Sequence, residues 1–153
     1  MEETSRKLVE FEKSFDNNLI VRGPHGAGIF KDPQAGKTSH RYKSIYQGLN
    51  ISFSQDGFAW SESRFISRNK IAGDTHNNVL WAPTLGRYVG FTRTWGKTDR
   101  KLVGPETKTN HAWGRQVARI ESADFCHWST SEVVIDCKKW EHQPYAMPVF
   151  FHA

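Results

Sequence analysis

The chain has 153 residues, enough for one ordinary domain with one core, and its ten Phe, six Trp and four Tyr argue against disorder. No apolar run reaches membrane-spanning length, and the start lacks the basic-then-apolar pattern of a signal peptide, so a cytoplasmic chain with no membrane partner is expected. A net charge of +5 admits an anionic partner, but acids are interleaved with the basic residues and no RNA-binding or helix-turn-helix pattern occurs, so nucleic acid is disfavoured.

In chain order, Thr4 or Ser5 can cap a short amphipathic helix over residues 2–15, with Leu8, Phe11 and Phe15 at helical spacing. Asn17-Asn18 ends it, and a short β-type run over residues 19–22 leads to Gly23-Pro24. A glycine-rich strand follows over residues 26–31, then a polar hairpin loop over 34–40 and strands over 42–46 and 51–54. Ser54-Gln55-Asp56-Gly57-Phe58-Ala59-Trp60 closes this unit as a corner. Ser and Asp bond the turn's own backbone, Gly57 tolerates a positive φ, and Trp60 folds back as an apolar plug. A further short run follows at Phe65-Ile66.

The same series then recurs. Strands are predicted over 76–81 and 87–93. A Lys-, Thr-, Gly- and Asn-rich stretch over 94–114 reads as a long inserted loop. The sheet resumes over 115–122, and Ser122-Ala123-Asp124-Phe125-Cys126-His127-Trp128 repeats the corner before a run at 133–135. Val79-Leu80-Trp81-Ala82-Pro83 lines up with the stretch from Gly28 to Pro33, Gly86 with Gly36, Arg87-Tyr88 with Arg41-Tyr42, and His76 with His25. Residues 138–143 form a connector, and 145–151 resemble a third first strand. An internal repeat outranks other local signals, and four antiparallel strands at this spacing are what a β-propeller blade requires. The expected fold is all-β: two four-stranded propeller-type units and the start of a third, behind a short N-terminal helix. Its segments are 1–24 (helix and lead-in strand), 25–70, 71–137 and 138–153. Two such units leave sheet edges and faces uncovered, so a homo-oligomer is expected. Cys126 and Cys137 have no metal-ligand spacing and read as buried free thiols, with a disulfide as the alternative.

Taken together, Gly26 to Pro33 with Arg41-Tyr42, Gly73-Asp74-Thr75-His76-Asn77-Asn78-Val79-Leu80-Trp81, Gly86-Arg87-Tyr88-Val89, Arg119 to Phe125 with His127-Trp128, and Tyr145-Ala146-Met147-Pro148-Val149 resemble a known group. The chain is similar to the five-bladed β-propeller proteins of the glycoside hydrolase families 32 and 43 superfamily, and more closely to bacterial glycosyl hydrolase-like or sialidase-like proteins. Members of that group are about twice as long and close a full ring. The resemblance implies a module that binds or acts on a carbohydrate, with no cofactor. Its enzymes place carboxylates on successive inner strands, and here a complete acid–base pair is not visible. Asp74 takes the position of one carboxylate, and a turn-capping role is its alternative. His25, His76, Asn77, Asn78 and Arg93 are candidate sugar-binding residues, with no metal expected. Packing, strand-end hydrogen bonding or a surface ion pair are their structural alternatives. Asp56 and Asp124 are corner residues, and Trp60 and Trp128 are core. The alternative to a hydrolase-like module is a non-catalytic sugar-binding or self-associating fragment.

Overall fold

The computed structural model describes residues 7–21, 23–66, 73–102 and 110–152. The fold is mostly β. Strands β1 (Gly28–Lys31), β2 (Tyr42–Tyr46), β3 (Asn50–Ser54) and β4 (Arg64–Phe65) form one antiparallel sheet in chain order. Strands β5 (Asn78–Ala82), β6 (Arg87–Leu102), β7 (Asn110–Ser122) and β8 (Glu132–Ile135) form a second sheet in the same way. Each strand pairs with its neighbour in sequence, so both sheets are plain meanders. Two 3-10 turns, Thr38–His40 and Trp140–His142, are the only helical elements among the described residues.

The corners form as the Ser, Asp and Trp residues dictate. In the first, Asp56 Oδ1 accepts the N–H groups of Phe58 and Ala59 at 2.8 and 2.9 Å, while Ser54 Oγ accepts that of Gly57 at 2.9 Å. Trp60 donates its indole N–H to Gly57 O at 3.1 Å. The second repeats the Asp and Trp bonds: Asp124 Oδ1 accepts from Cys126 and His127, both at 2.8 Å, and Trp128 donates to Phe125 O at 3.0 Å, while Ser122 Oγ accepts the N–H of Asp124 at 3.3 Å.

One face of the first sheet packs on one face of the second. Because directly paired residues share a face, Ile45 and Ile51 of the first sheet meet Val79, Tyr88 and Ile120 of the second, with Leu49 and Phe125 completing the core. The first strands of the two sheets run close enough to exclude side chains. A Cβ on Gly28 would lie 2.3 Å from Asn77 O, one on Gly26 would overlap Thr75, and Asn77 N donates to Gly26 O at 3.2 Å. This is the physical use of the glycines at the start of the chain's first unit.

A buried ionic group ties the sheets together at the other end of these strands. Asp32 and Lys43 are 5% and 4% exposed and form an ion pair through Asp32 Oδ2, which also accepts the Tyr88 hydroxyl at 2.7 Å. Lys43 Nζ lies 5.5 to 6.0 Å from the ring centroids of Tyr88, Phe125 and Phe53 and donates to His40 O at 3.2 Å. The ammonium therefore exchanges water for a carboxylate, a carbonyl and three ring faces. Burial, reinforced by the bond to Asp32, pushes the Tyr88 phenol well above its ordinary value.

Several expectations are corrected. No helix forms in the described part of residues 2–15. Phe11 and Ser14 exchange backbone hydrogen bonds at 2.8 and 2.9 Å, and Glu12 and Lys13 take φ of 49° and 63°. The Asn17 amide bonds the carbonyls of Val9 and Ser14, and Leu8, Phe11 and Phe15 stay about half exposed, so no packed apolar stripe supports a helix there. Residues 2–6 lie outside the described residues. Residues 19–21 are not a strand, and Arg22 lies outside the description. The supposed loop over 94–114 is instead strand over most of its length: β6 and β7 pair from Tyr88 and Ser122 out to Leu102 and Asn110, with an irregularity between Lys97 and Lys101. Residues 145–151 form no strand either, and lie beside the second sheet through the bond from Asn78 Nδ2 to Met147 O at 3.1 Å. Both cysteines are free, as expected, but half-buried rather than buried.

The register also moves the histidines. Gly28 stands opposite Ile45 and Asn78 opposite Phe91, while the positive φ of Gly23 and Gly26 recurs at Gly73 and His76. His76 thus takes the place of Gly26, and His25 that of Thr75. The two histidines are one residue out of step.

Candidate functional site

The lead-in to β5 turns sharply at Gly73 and again at His76, which adopts φ 54°. A left-handed conformation costs a non-glycine residue about 1–2 kcal/mol, and such outliers concentrate where a side chain has a task. Here the turn aims the His76 ring at Tyr145, with centroids 4.9 Å apart and planes at 54°. Asp74, two residues earlier, meets Arg93 of β6. Arg93 Nε and Nη2 donate to Asp74 Oδ2 at 2.8 and 2.5 Å, and Nη1 donates to Tyr145 O at 3.1 Å. The Arg93 side chain is 10% exposed and that of Asp74 24%. One guanidinium therefore pins the turn before β5 to the segment after the second sheet, in a charge-assisted geometry stronger than neutral hydrogen bonds.

The result is a cleft of about 240 Å³, a figure that includes solvent at its mouth, between β6, β7 and the Pro144–Met147 strap. Phe91 and Val117 form its floor, His76 and Arg93 one wall, and Tyr145 the other. The space it encloses is only about 10 Å³, room for about one water, so a ligand ring lies across its mouth against Tyr145 rather than inside it. Tyr145 is 66% exposed, and the guanidinium carbons of Arg93 and Arg115 lie 5.8 and 5.5 Å from its ring centroid.

The expected site residues divide. Asp74, His76, Asn78 and Arg93 come together around this cleft. Asn78 serves it indirectly: its amide bonds His76 O at 3.0 Å and Met147 O, which holds the strap in place. Asn77 faces the other way. It is 1% exposed, its Oδ1 accepts the Thr92 hydroxyl at 2.5 Å, and its Nδ2 is buried without a partner. His25 is exposed beside the first sheet, where its carbonyl accepts Gln47 N at 3.0 Å. It is not part of the cleft lining. Asp74 has its Oδ2 committed to Arg93 and does not line the cleft, and among the described residues no other carboxylate does. Glycosidic cleavage by the common route needs two carboxyl groups about the bond, one to protonate and one to attack or activate water. The cleft supplies an aromatic face, an imidazole and guanidinium N–H donors, which is a binding set.

Tyr145, which lines the cleft, and Arg115, which lies against its ring, are the residues here that sequence reasoning passed over. The signal for Tyr145 was its place at the start of a third repeat-like segment; for Arg115 it was its place at the start of the strand expected over 115–122, whose partner Trp95 fell in the stretch read as loop. Among the described residues no group of three or more His, Cys, Asp or Glu side chains is placed to hold a metal, and no helix is long and apolar enough to cross a membrane. Comparison with protein-family models, with curated proteins and with solved structures finds no match to this chain.

Proposed function

We propose that the chain is a carbohydrate-binding module made of β-propeller-type units, glycoside hydrolase-like in its layout and binding a sugar ring without cleaving it. One observation carries this reading. The cleft before β5 offers the exposed Tyr145 ring for stacking and His76 and Arg93 for hydrogen bonding, with no carboxylate among the described residues that line it. Sugars present an apolar ring face edged by hydroxyls, which this combination of one aromatic plate and a few fixed donors matches. The two meander sheets and the crowding of β1 against the lead-in to β5 support the propeller-type arrangement, since blades approach most closely along their first strands.

A glycan array, followed by titration of the best ligand and a reducing-sugar assay, tests the proposal. Binding without release of reducing ends is the expected result, with a loss of about tenfold or more in Tyr145→Ala. Asp74→Asn loosens Arg93 and weakens binding, and it has no turnover to abolish. Turnover that disappears in Asp74→Asn would establish hydrolysis instead. An array with no bound glycan would remove the carbohydrate reading altogether.

A further inference from the structure

Beyond β5 and β8 the second sheet narrows to two strands. β5 pairs only with residues 87–91 of β6, and β8 only with residues 117–119 of β7, yet β6 and β7 continue pairing well past both. The outer part is a ribbon standing clear of the sheet. One flank is braced by the connector after β8: Asp99 N donates to Lys138 O at 2.7 Å, Trp140 N to Asp99 Oδ1 at 2.9 Å, and Arg115 N to Gln143 Oε1 at 2.9 Å. The brace holds the ribbon in one shape before any ligand arrives.

The ribbon's other face is unusual in composition. Trp95 stands directly opposite Arg115, and Lys97 directly opposite Trp113, so all four side chains leave on one face, aromatic and cation alternating across the strands. This is the face that carries Arg93 opposite Val117 at the floor of the cleft, so the row runs on from the sugar site. Trp113 is 57% exposed and Trp95 40%. The Arg115 guanidinium lies 6.0 Å from the Trp95 ring and 5.5 Å from that of Tyr145. Among the described residues no ion pair neutralises Lys97 or Arg115, and Arg115 Nε is buried without a hydrogen-bond partner. Elsewhere on the second sheet Arg93 is balanced by Asp74, and Arg87 and Arg119 by Glu121, while the Arg100 guanidinium lies 4.6 Å from the Trp140 ring centroid. Uncompensated cations between exposed indoles, on a rigid face of a chain with net charge +5, call for an anionic ligand built of stackable rings.

We infer that this row is a set of further subsites for an acidic polysaccharide, in which Tyr145, Trp95 and Trp113 stack successive sugar rings while Arg115 and Lys97 bind their carboxylates. The inference rests on the carbohydrate reading of the cleft and adds the charge class and chain length of the ligand. Titration calorimetry of the full chain with hexagalacturonate and with its methyl ester, the same chain without its charges, tests it. The acid is expected to bind about tenfold or more tightly than the ester at low salt, and to weaken as salt is raised to about 0.5 M. Trp113→Ala and Arg115→Gln should each cost about tenfold, with thermal unfolding unchanged for the exposed Trp113; Trp113→Phe and Arg115→Lys should recover part of the loss. Equal binding of acid and ester overturns the inference, as does full binding by both Trp113→Ala and Arg115→Gln. So does equally tight binding of a single-stranded oligouridylate, which would mark an unselective polyanion surface. If neutral oligosaccharides bind and hexagalacturonate does not, the inference fails while the cleft reading stands; if no sugar binds, both fail.

Discussion

The two Ser/Asp/Trp corners share the backbone hydrogen bonds made by their Asp and Trp side chains, and of the residues that differ between them one decides how each corner packs. The position between the Asp and the two bonded N–H groups is left-handed in both, at φ 85° for Gly57 and 65° for Phe125. Glycine accepts that conformation freely, whereas a bulky residue there is a true outlier. The difference follows from what lies above each corner. A Cβ on Gly57 would only graze the Tyr42 ring at 3.9 Å, on the face of the first sheet turned away from the second. Phe125 drops between the sheets, is 0% exposed, and meets the rings of Phe30, Phe53, Tyr88 and Trp128 at 5.3 to 5.9 Å. A repeated scaffold is thus adapted by one residue to being packed or unpacked, and burial of a phenyl ring offsets the backbone strain.

The strongest way to break this comparison is to exchange the residues. Phe125→Ala should destabilise the fold by about 3–5 kcal/mol, the usual cost of deleting a buried phenyl ring. Gly57→Ala should cost only the left-handed penalty of about 1–2 kcal/mol. Urea unfolding of both variants measures the gap. Similar losses at the two sites would show that backbone strain, and not packing, distinguishes the corners.

How far the sequence could be read follows the same division between local bonding and burial. The corners, the glycines of the first strand and the Pro-Gly turns were legible because each is a local requirement met by residues close together in the chain. The Asp32–Lys43–Tyr88 group was not, since nothing in a pattern of neighbours shows that two charges eleven positions apart share a dry interior with a phenol from the other sheet. The ribbon was hidden by its Lys, Gly and Asn content, although Thr92, Thr94 and Thr98 carried a β-branched alternation that favours strand. The cleft was half legible: Asp74, His76, Asn78 and Arg93 were singled out through the family resemblance and the repeat, but the repeat also paired His76 with His25, which the strand register separates, and Asn77, a buried interface residue, was counted among the ligands.

That register gives a second, smaller comparison, between Gly26 and His76 at matching left-handed positions. Gly26→Ala combines the left-handed penalty of about 1–2 kcal/mol with overpacking against Thr75 of about 1–3 kcal/mol. His76→Gly goes the other way: relief of strain is partly offset by about 0.5–1 kcal/mol of backbone entropy, leaving stability level or raised by up to about 1.5 kcal/mol while the cleft loses a wall. Unfolding curves together with sugar binding check both. A His76→Gly variant that is less stable and binds normally would show the imidazole to be a packing residue.

The smallest effect separates the two corner carboxylates. The N–H groups of Phe58 and Ala59, and less the Ser54 hydroxyl, hold Asp56 below the usual carboxylate range. For Asp124, burial pushes the carboxyl up, but it is outweighed by the His127 ring, the N–H groups of His127 and Cys126 and the Ser122 hydroxyl, so that it lies far below the usual range. His127 Nδ1 sits 2.6 Å from Asp124 Oδ2, a contact Ala59 cannot make at the first corner. A depressed folded-state value means that each carboxylate contributes its full stabilisation above the unfolded value of about 3.9 and loses it as pH falls through the folded value. Both groups are exposed, so the changes are modest. The drop in melting temperature from about pH 7 to about pH 3 should shrink more in Asp124→Asn than in Asp56→Asn, and His127→Gln should bring the two corners level. If His127→Gln leaves the difference intact, the imidazole contributes nothing, and the stronger depression at Asp124 belongs to the backbone N–H groups and Ser122 alone.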